Sequence, residues 1–364
     1  MICKKSVDSL TPQSNYYKFA HPYLYMLYKW FMKLTTLALI LVNSLTLASA
    51  HHADKLLPNI PNAMEQQVCE LGDNAPISRA YKANKGNYLS CSQITAFNDT
   101  LNEVKGIVKD APKVNLFIQQ EYPNASFDMG SIIRIPLTLT FSGKYGMTYR
   151  GSYFASHTIL AHEYGHAIFA NKMKKYDFYN KIQALSMKAS NLEINIQEAY
   201  ATGNPGGITE HYFNLLSKIN KQRREDKELQ ATARITRAYN ELFADVVAVA
   251  VLNDKSAITN ALFYNEMSDN RYEFVLARQF SNNYLDMNGP YMFEEHTMFA
   301  PTRQFIGENL WPTTDEEKTE LIEKVFQASV IEIKKGLNRD KQPRAKELNK
   351  QLIATLKKLY KLAE

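Results

Sequence analysis

The chain has 364 residues, with 43 Lys or Arg, 37 Asp or Glu, three Cys and 14 Gly. Ordinary apolar and charged shares exclude collagen-like, low-complexity and wholly disordered chains. A formal charge of +6 raises the question of a nucleic-acid or anionic-surface binder, and the distribution of that charge bears on the answer.

Residues 1–50 hold Lys4, Lys5, Lys18, Lys29 and Lys33 against one acid, Asp8. Residues 34–42 are mostly apolar, and Leu47-Ala48-Ser49-Ala50 follows. A basic start, a short apolar run and a small-residue end predict a secretory signal peptide cleaved after Ala50. Met32-Lys33 opens a compact version of the same leader, so Met32 is an alternative start. The run is short for a membrane span and is interrupted by Asn43 and Ser44; the alternative to cleavage is a retained N-terminal anchor. Without the leader, 43 less five leaves 38 basic residues, and 37 less one leaves 36 acidic ones. A net charge of +2 removes most of the case for a nucleic-acid partner. No stable membrane insertion is expected after cleavage. The exported chain, periplasmic or secreted, keeps Cys69 and Cys91, and an oxidising compartment favours a disulfide between them.

Taken in order, residues 51–62 read as an extended arm. Residues 65–69 and 92–109 have helical periodicity, the latter with Phe97, Leu101, Val104, Ile107 and Val108 on one side. Residues 114–119 and 131–141 read as strands. Residues 152–175 form a long helix candidate with Ser152 or Ser156 as cap and Lys172, Lys174 and Lys175 near its end. Gly203 to Gly207 mark a loop. Residues 234–252 form a second strong helix, apolar at Ile235, Ala238, Leu242, Val246 and Ala250. Residues 282–290 read as a loop. From Thr314 the chain reads as helix to its end, broken near residues 338–343. Thr313 or Thr314 caps this stretch, with Asp315, Glu316 and Glu317 in the first turn. The expected fold class is α+β, mainly helical with a small sheet. Its expected parts are an arm and helical region with the disulfide (51–112), a core (113–260) and a helical C-terminal region completing a cleft (261–364). Residues 51–90 are also a candidate pro-segment over that cleft.

Chemistry concentrates in His162-Glu163-Tyr164-Gly165-His166. Residues at i and i+4 share a helix face, so the two imidazoles converge and can bind one metal ion. Glu163 is one step round, within reach of a metal-bound water, as in the HExxH arrangement. Gly165 costs about 1 kcal/mol of helix propensity and points to close packing against another element. A third ligand is needed. A further Gly and His along the same helix are ruled out, because positions 169 and 172 are Phe and Lys. The second helix offers Asn240-Glu241-Leu242-Phe243-Ala244-Asp245. Glu241 and Asp245 share a face of an otherwise apolar helix, a costly arrangement unless they meet a cation or a metal-bound imidazole. With Glu241 on the metal, Asp245 can accept the free N–H of a ligand His. Neither cysteine lies at metal-ligand spacing. His157 and His211 read as structural.

His162–His166 together with Asn240–Asp245 resembles the gluzincin metallopeptidases, thermolysin-like in the broad sense, which pair an HExxH helix with a downstream NExxxD helix. The resemblance covers about a dozen residues. It implies a zincin-like fold holding one Zn2+, with His162, His166 and Glu241 as ligands and Glu163 as general base. Asp245 would be the partner of His162 and Asn240 a support for His166. It also implies a downstream His, with Arg, stabilising the transition state, for which His296 and Arg303 are candidates. The strand at 131–141 resembles the edge strand that pairs with extended substrate in this clan. Some seventy residues separate the two motifs, more than in the best-known secreted members. Longer intervals occur in the membrane-linked prenyl-protein endopeptidases and their periplasmic relatives. The expected function is hydrolysis of a peptide or protein substrate. The alternative is a catalytically silent zincin-fold module that binds proteins or acts as a chaperone, against which the intact Glu163 argues.

Overall fold

A computed structural model describes residues 64–67, 69–83, 90–118, 125–136, 140–142, 148–150, 153–201, 207–263, 272–281, 290–339 and 341–362. All of them belong to one compact unit running from Pro61 to Glu364. The expected leader, the arm at 51–62, the Gly203 loop except Gly207, and the 282–290 loop except Pro290 lie outside the described residues. The architecture is mainly helical with a small mixed sheet.

The main sheet has five strands, drawn from residues 64–135. Strand β1 (Met64–Gln67) pairs antiparallel with β2 (Ile77–Ala83), and β2 runs parallel to β3 (Val114–Ile118). Helix α1 (Cys91–Ile107) makes the crossover between them. The Gln93 side chain accepts from the Ser90 N–H at its start, and Phe97, Leu101, Val104 and Ile107 are buried as the periodicity requires. The 65–69 stretch, expected as helix, is instead mostly strand β1. So short a segment cannot hold a helix by itself, and pairing of residues 64–67 with residues 80–83 decides its conformation. Residues 64–83 are therefore woven into the sheet, and Cys69 is disulfide-bonded to Cys91 with their Cα atoms 5.5 Å apart. This part of the candidate pro-segment is integral to the fold.

The 131–141 stretch divides. Ile132–Ile135 forms β5, parallel to β3, while Thr140–Ser142 forms β6, which pairs with β7 (Thr148–Arg150) in a separate two-stranded sheet. Strand β4 (Ser126–Phe127) folds back antiparallel along β5 and occupies its outer side. The expectation that this stretch is the open edge is thus corrected for Ile133 and Arg134, the residues β4 pairs with. Asp128 holds the turn between β4 and β5 by accepting from Gly130 N and Ile132 N, both at 2.9 Å.

Helix α2 (Tyr153–Met173) runs through the core. The next helices, α3 (Asp177–Ala201) and α4 (Gly207–Glu225), form a hairpin. Ion pairs Arg79–Glu198 and Arg134–Glu193 clamp α3 to the sheet. Helix α5 (Lys227–Leu252) starts at Asp226, whose carboxylate accepts from Glu228 N and Leu229 N at 3.1 Å each. Short helices α6 (Ala257–Phe263) and α7 (Tyr272–Leu276) follow, then a 3-10 turn at Pro290–Phe293 and α8 (Ala300–Asn309). Helix α9 (Asp315–Leu337) begins at the expected Thr314 cap, and α10 (Ala345–Tyr360) closes the described chain. Phe169 of α2, Phe243 of α5 and Phe326 of α9 meet with centroids 5.5–5.8 Å apart. This aromatic contact locks the three long helices together.

Candidate metal centre

Helices α2 and α5 approach unusually closely at one point. A Cβ on Gly165 would sit 2.7 Å from Ala244 Cα, so only glycine permits this crossing. The close approach accounts for the glycine inside the first motif, and it sets the two motifs against each other.

His162, His166 and Glu241 converge there, all buried. His162 Nε2 lies 3.5 Å from Glu241 Oε2, and His166 Nε2 lies 3.6 Å from Glu241 Oε1. Ligand atoms about 2.0–2.1 Å from a tetrahedral ion stand about 3.3–3.4 Å apart, so these separations fit a single ion. A second observation agrees with the fit. Glu241 Oε2 is buried without a hydrogen bond, with Arg278 Nη2 4.0 Å away, so a bound cation would find an oxygen free to ligate it. The three side chains can hold a metal ion.

Asp245 stands where the sequence requires it. Its Oδ1 is 2.9 Å from His162 Nδ1, which places the imidazole proton on Nδ1 and the lone pair on Nε2, where Arg278 Nη2 stands 3.4 Å away. Burial pushes the Asp245 pKa upward, but Arg278, Arg303 and His162 together hold it far below the carboxylate range. Asn240 Oδ1 and His166 Nδ1 are both buried. Burial lowers the His166 pKa, while Glu241 and, more weakly, Asn240 oppose it. The Asn240 amide nitrogen also lies 3.8 Å from Met129 Sδ, in the β4–β5 turn.

Glu163 is buried beside this group. Desolvation raises its pKa to about 7, with Glu241 adding to the rise and His166, Arg278 and His296 opposing it. A carboxyl poised near neutrality can both take and return a proton.

The structure brings His296 to the centre. Its Nε2 is 3.5 Å from Glu241 Oε1, and its Nδ1 bonds Glu294. Its side chain stays 42% exposed, so it faces the open side. Desolvation lowers its pKa, but Glu241 and Glu294 outweigh that and hold it at about 9. Arg303 is placed differently from the sequence expectation. It is fully buried, and its guanidinium is committed to Asp245 and to the His296 carbonyl, 2.7 Å from Nη2. It braces the centre from behind and does not line its open side.

Two participants have no sequence signature. Arg278 follows α7, donates from Nε to Asp245 Oδ2 at 3.1 Å and pairs its Nη2 with Oδ1. Burial depresses its pKa, but Asp245 and Glu241 outweigh this and raise it. Glu294 orients His296. The one available signal was a need for cations beside two buried acids of α5, which named no partner. His157 is structural, bonded to Thr100 and packed on Phe97 with centroids 5.3 Å apart. His211 is exposed on α4. No described helix is long and apolar enough to cross a membrane. No protein-family model, curated protein or solved structure matches this chain.

Proposed function

We propose that this chain is an exported zinc metallopeptidase with a zincin-like core. The supporting observation is the convergence of His162 Nε2, His166 Nε2 and both Glu241 oxygens at 3.5–3.6 Å. Zinc is favoured because two imidazoles and one carboxylate, with Asp245 oriented on His162, are its usual catalytic donor set. When bound, the ion supplies Lewis acidity and a water that ionises near neutral pH.

The chain's own groups carry the proton traffic. Glu163 takes a proton from the attacking water and returns it to the leaving amine nitrogen. His296 Nε2, protonated and on the open side, donates to the oxyanion that develops on the scissile carbonyl. Arg303 and Asp245 hold His296 and His162 in place from behind. The Cys69–Cys91 disulfide supports export to an oxidising compartment, as does the leader pattern at residues 1–50.

The test is Glu163→Gln. Zinc should bind one ion per chain as before, and hydrolysis of an unfolded protein such as casein should fall by at least about a hundredfold. Unchanged turnover would overturn the assignment. Stoichiometric zinc with no hydrolysis by the unaltered chain would favour the silent binding module.

A further inference from the structure

The overall charge of the mature chain conceals a separation. From Lys334 to Lys361 there are ten basic and two acidic residues. Taking these from the 38 basic and 36 acidic residues after the leader leaves 28 basic and 34 acidic. The protein is therefore a body of charge −6 carrying a terminal segment of charge +8. Glu332, just before that segment, is buried and spent on Lys335 and Thr355.

The segment takes in the end of α9 and the whole of α10. Helices α9 and α10 pack antiparallel, joined by Glu332 to Thr355 at 2.6 Å and by Arg339 to Gln351 at 3.1 Å. Lys346, Lys350 and Lys358 recur at four- and eight-residue intervals, a stripe along one side of α10, and Lys361 follows its last turn. The opposite side carries buried Leu352 and Leu356. Eight of the ten cations are exposed, and among the described residues only Lys335 has an ion pair. Arg344 and Lys346 stand at the α10 N-terminus, where the helix dipole disfavours positive charge. With Glu347, Lys350, Pro301 and Ile353 they line a groove of about 550 Å3, three cations against one acid. Exposed Ile331 and Leu362 flank the cations.

We propose that this face docks the protein peripherally on an anionic lipid surface. An extended stripe of separate cations, with aliphatic side chains at its margins, suits an array of singly charged headgroups. The acidic body is repelled by the same surface, so the dipole fixes one orientation. Asn349, on the floor of the groove, bonds Thr302 and the Met298 carbonyl, so the docked face adjoins the segment between His296 and Arg303. Docking does not depend on the metal assignment.

The test is sedimentation of the full mature chain with vesicles of phosphatidylglycerol and phosphatidylcholine in a one-to-two ratio, and with phosphatidylcholine alone. Binding should require phosphatidylglycerol and weaken at least about tenfold between about 50 and about 300 mM salt. The triple variant Lys346→Glu, Lys350→Glu, Lys358→Glu should lose it, and the corresponding Gln variant should be intermediate. A thermal melt checks that both fold. Charge reversal at Lys218 and Lys221 on α4 should change nothing. Equal binding to both vesicles, no binding at low salt, or full binding by the reversed variant overturns the proposal. Retention on poly-glutamate or RNA without vesicle binding overturns it too, assigning the face to another polyanion.

Discussion

Arg303 lies against Asp245 with its Nε 2.9 Å and its Nη2 2.7 Å from the same carboxylate oxygen, and neither side chain is exposed. Arg278 grips the same carboxylate from its other side. A single buried Asp thus carries two arginines and an imidazole. Losing Arg303 leaves Arg278 and His162 on Asp245 but takes the donor from the His296 carbonyl. Arg303→Met should destabilise the fold by about 1–3 kcal/mol, read from denaturant midpoints. Asp245→Asn should weaken metal binding about 10–100-fold, read by titration against a chelator. Unchanged affinity would separate Asp245 from the orientation of His162.

Gly165→Ala sets two effects against each other. Helix propensity favours alanine by about 1 kcal/mol. The new Cβ would stand 2.7 Å from Ala244 Cα and 3.1 Å from Ala244 O, backbone atoms that cannot swing away. Overpacking of this kind costs about 1–3 kcal/mol, so the net change should be destabilising. Metal affinity should fall with it, because separating α2 from α5 separates His166 from Glu241. A more stable variant would contradict the close crossing.

The disulfide joins residues 22 apart in sequence. Replacing both Cys69 and Cys91 by Ala should lower stability by about 3 kcal/mol in the chain-entropy account. The denaturant slope should rise, because an uncrosslinked chain exposes more surface when unfolded. A constant slope and midpoint would show that the crosslink is energetically idle.

Acid should weaken the start of α9. The Thr313 hydroxyl, the Thr313 backbone N–H and the Thr314 backbone N–H, in that order, lower the Glu317 pKa below its ordinary 4.5. A carboxyl depressed in the folded state stabilises the fold above its unfolded pKa. That contribution disappears as pH falls through the lower, folded value. Wild type should therefore exceed Glu317→Gln in stability at neutral pH, with the gap closing below about pH 4.5. A gap independent of pH would remove the charge from the capping interaction. Thr314→Ala should cost about 1 kcal/mol at any pH above this range.

The sequence made the metal group legible because helical geometry alone brings His162 to His166 and Glu241 to Asp245. It made α1, α2, the later part of α5 and the capped start of α9 legible for the same reason, since each carries periodicity or a cap of its own. Strand β1 was missed because its pairing partner lies more than ten residues away and its own composition, Met-Glu-Gln-Gln, favours helix. The covering of β5 by β4 was missed because two residues carry no periodicity. Arg278 was missed because a buried arginine is chosen by its tertiary neighbour, Asp245, and nothing in residues 272–281 marks it.

The helical hairpin of α3 and α4 separates the two ligand helices in sequence. The ligand helices meet through backbone contact at Gly165 and Ala244, and Phe326 buttresses them from α9. The connecting hairpin is clamped to the sheet through Glu193 and Glu198, but the spacing of His166 and Glu241 is set at the Gly165–Ala244 crossing itself.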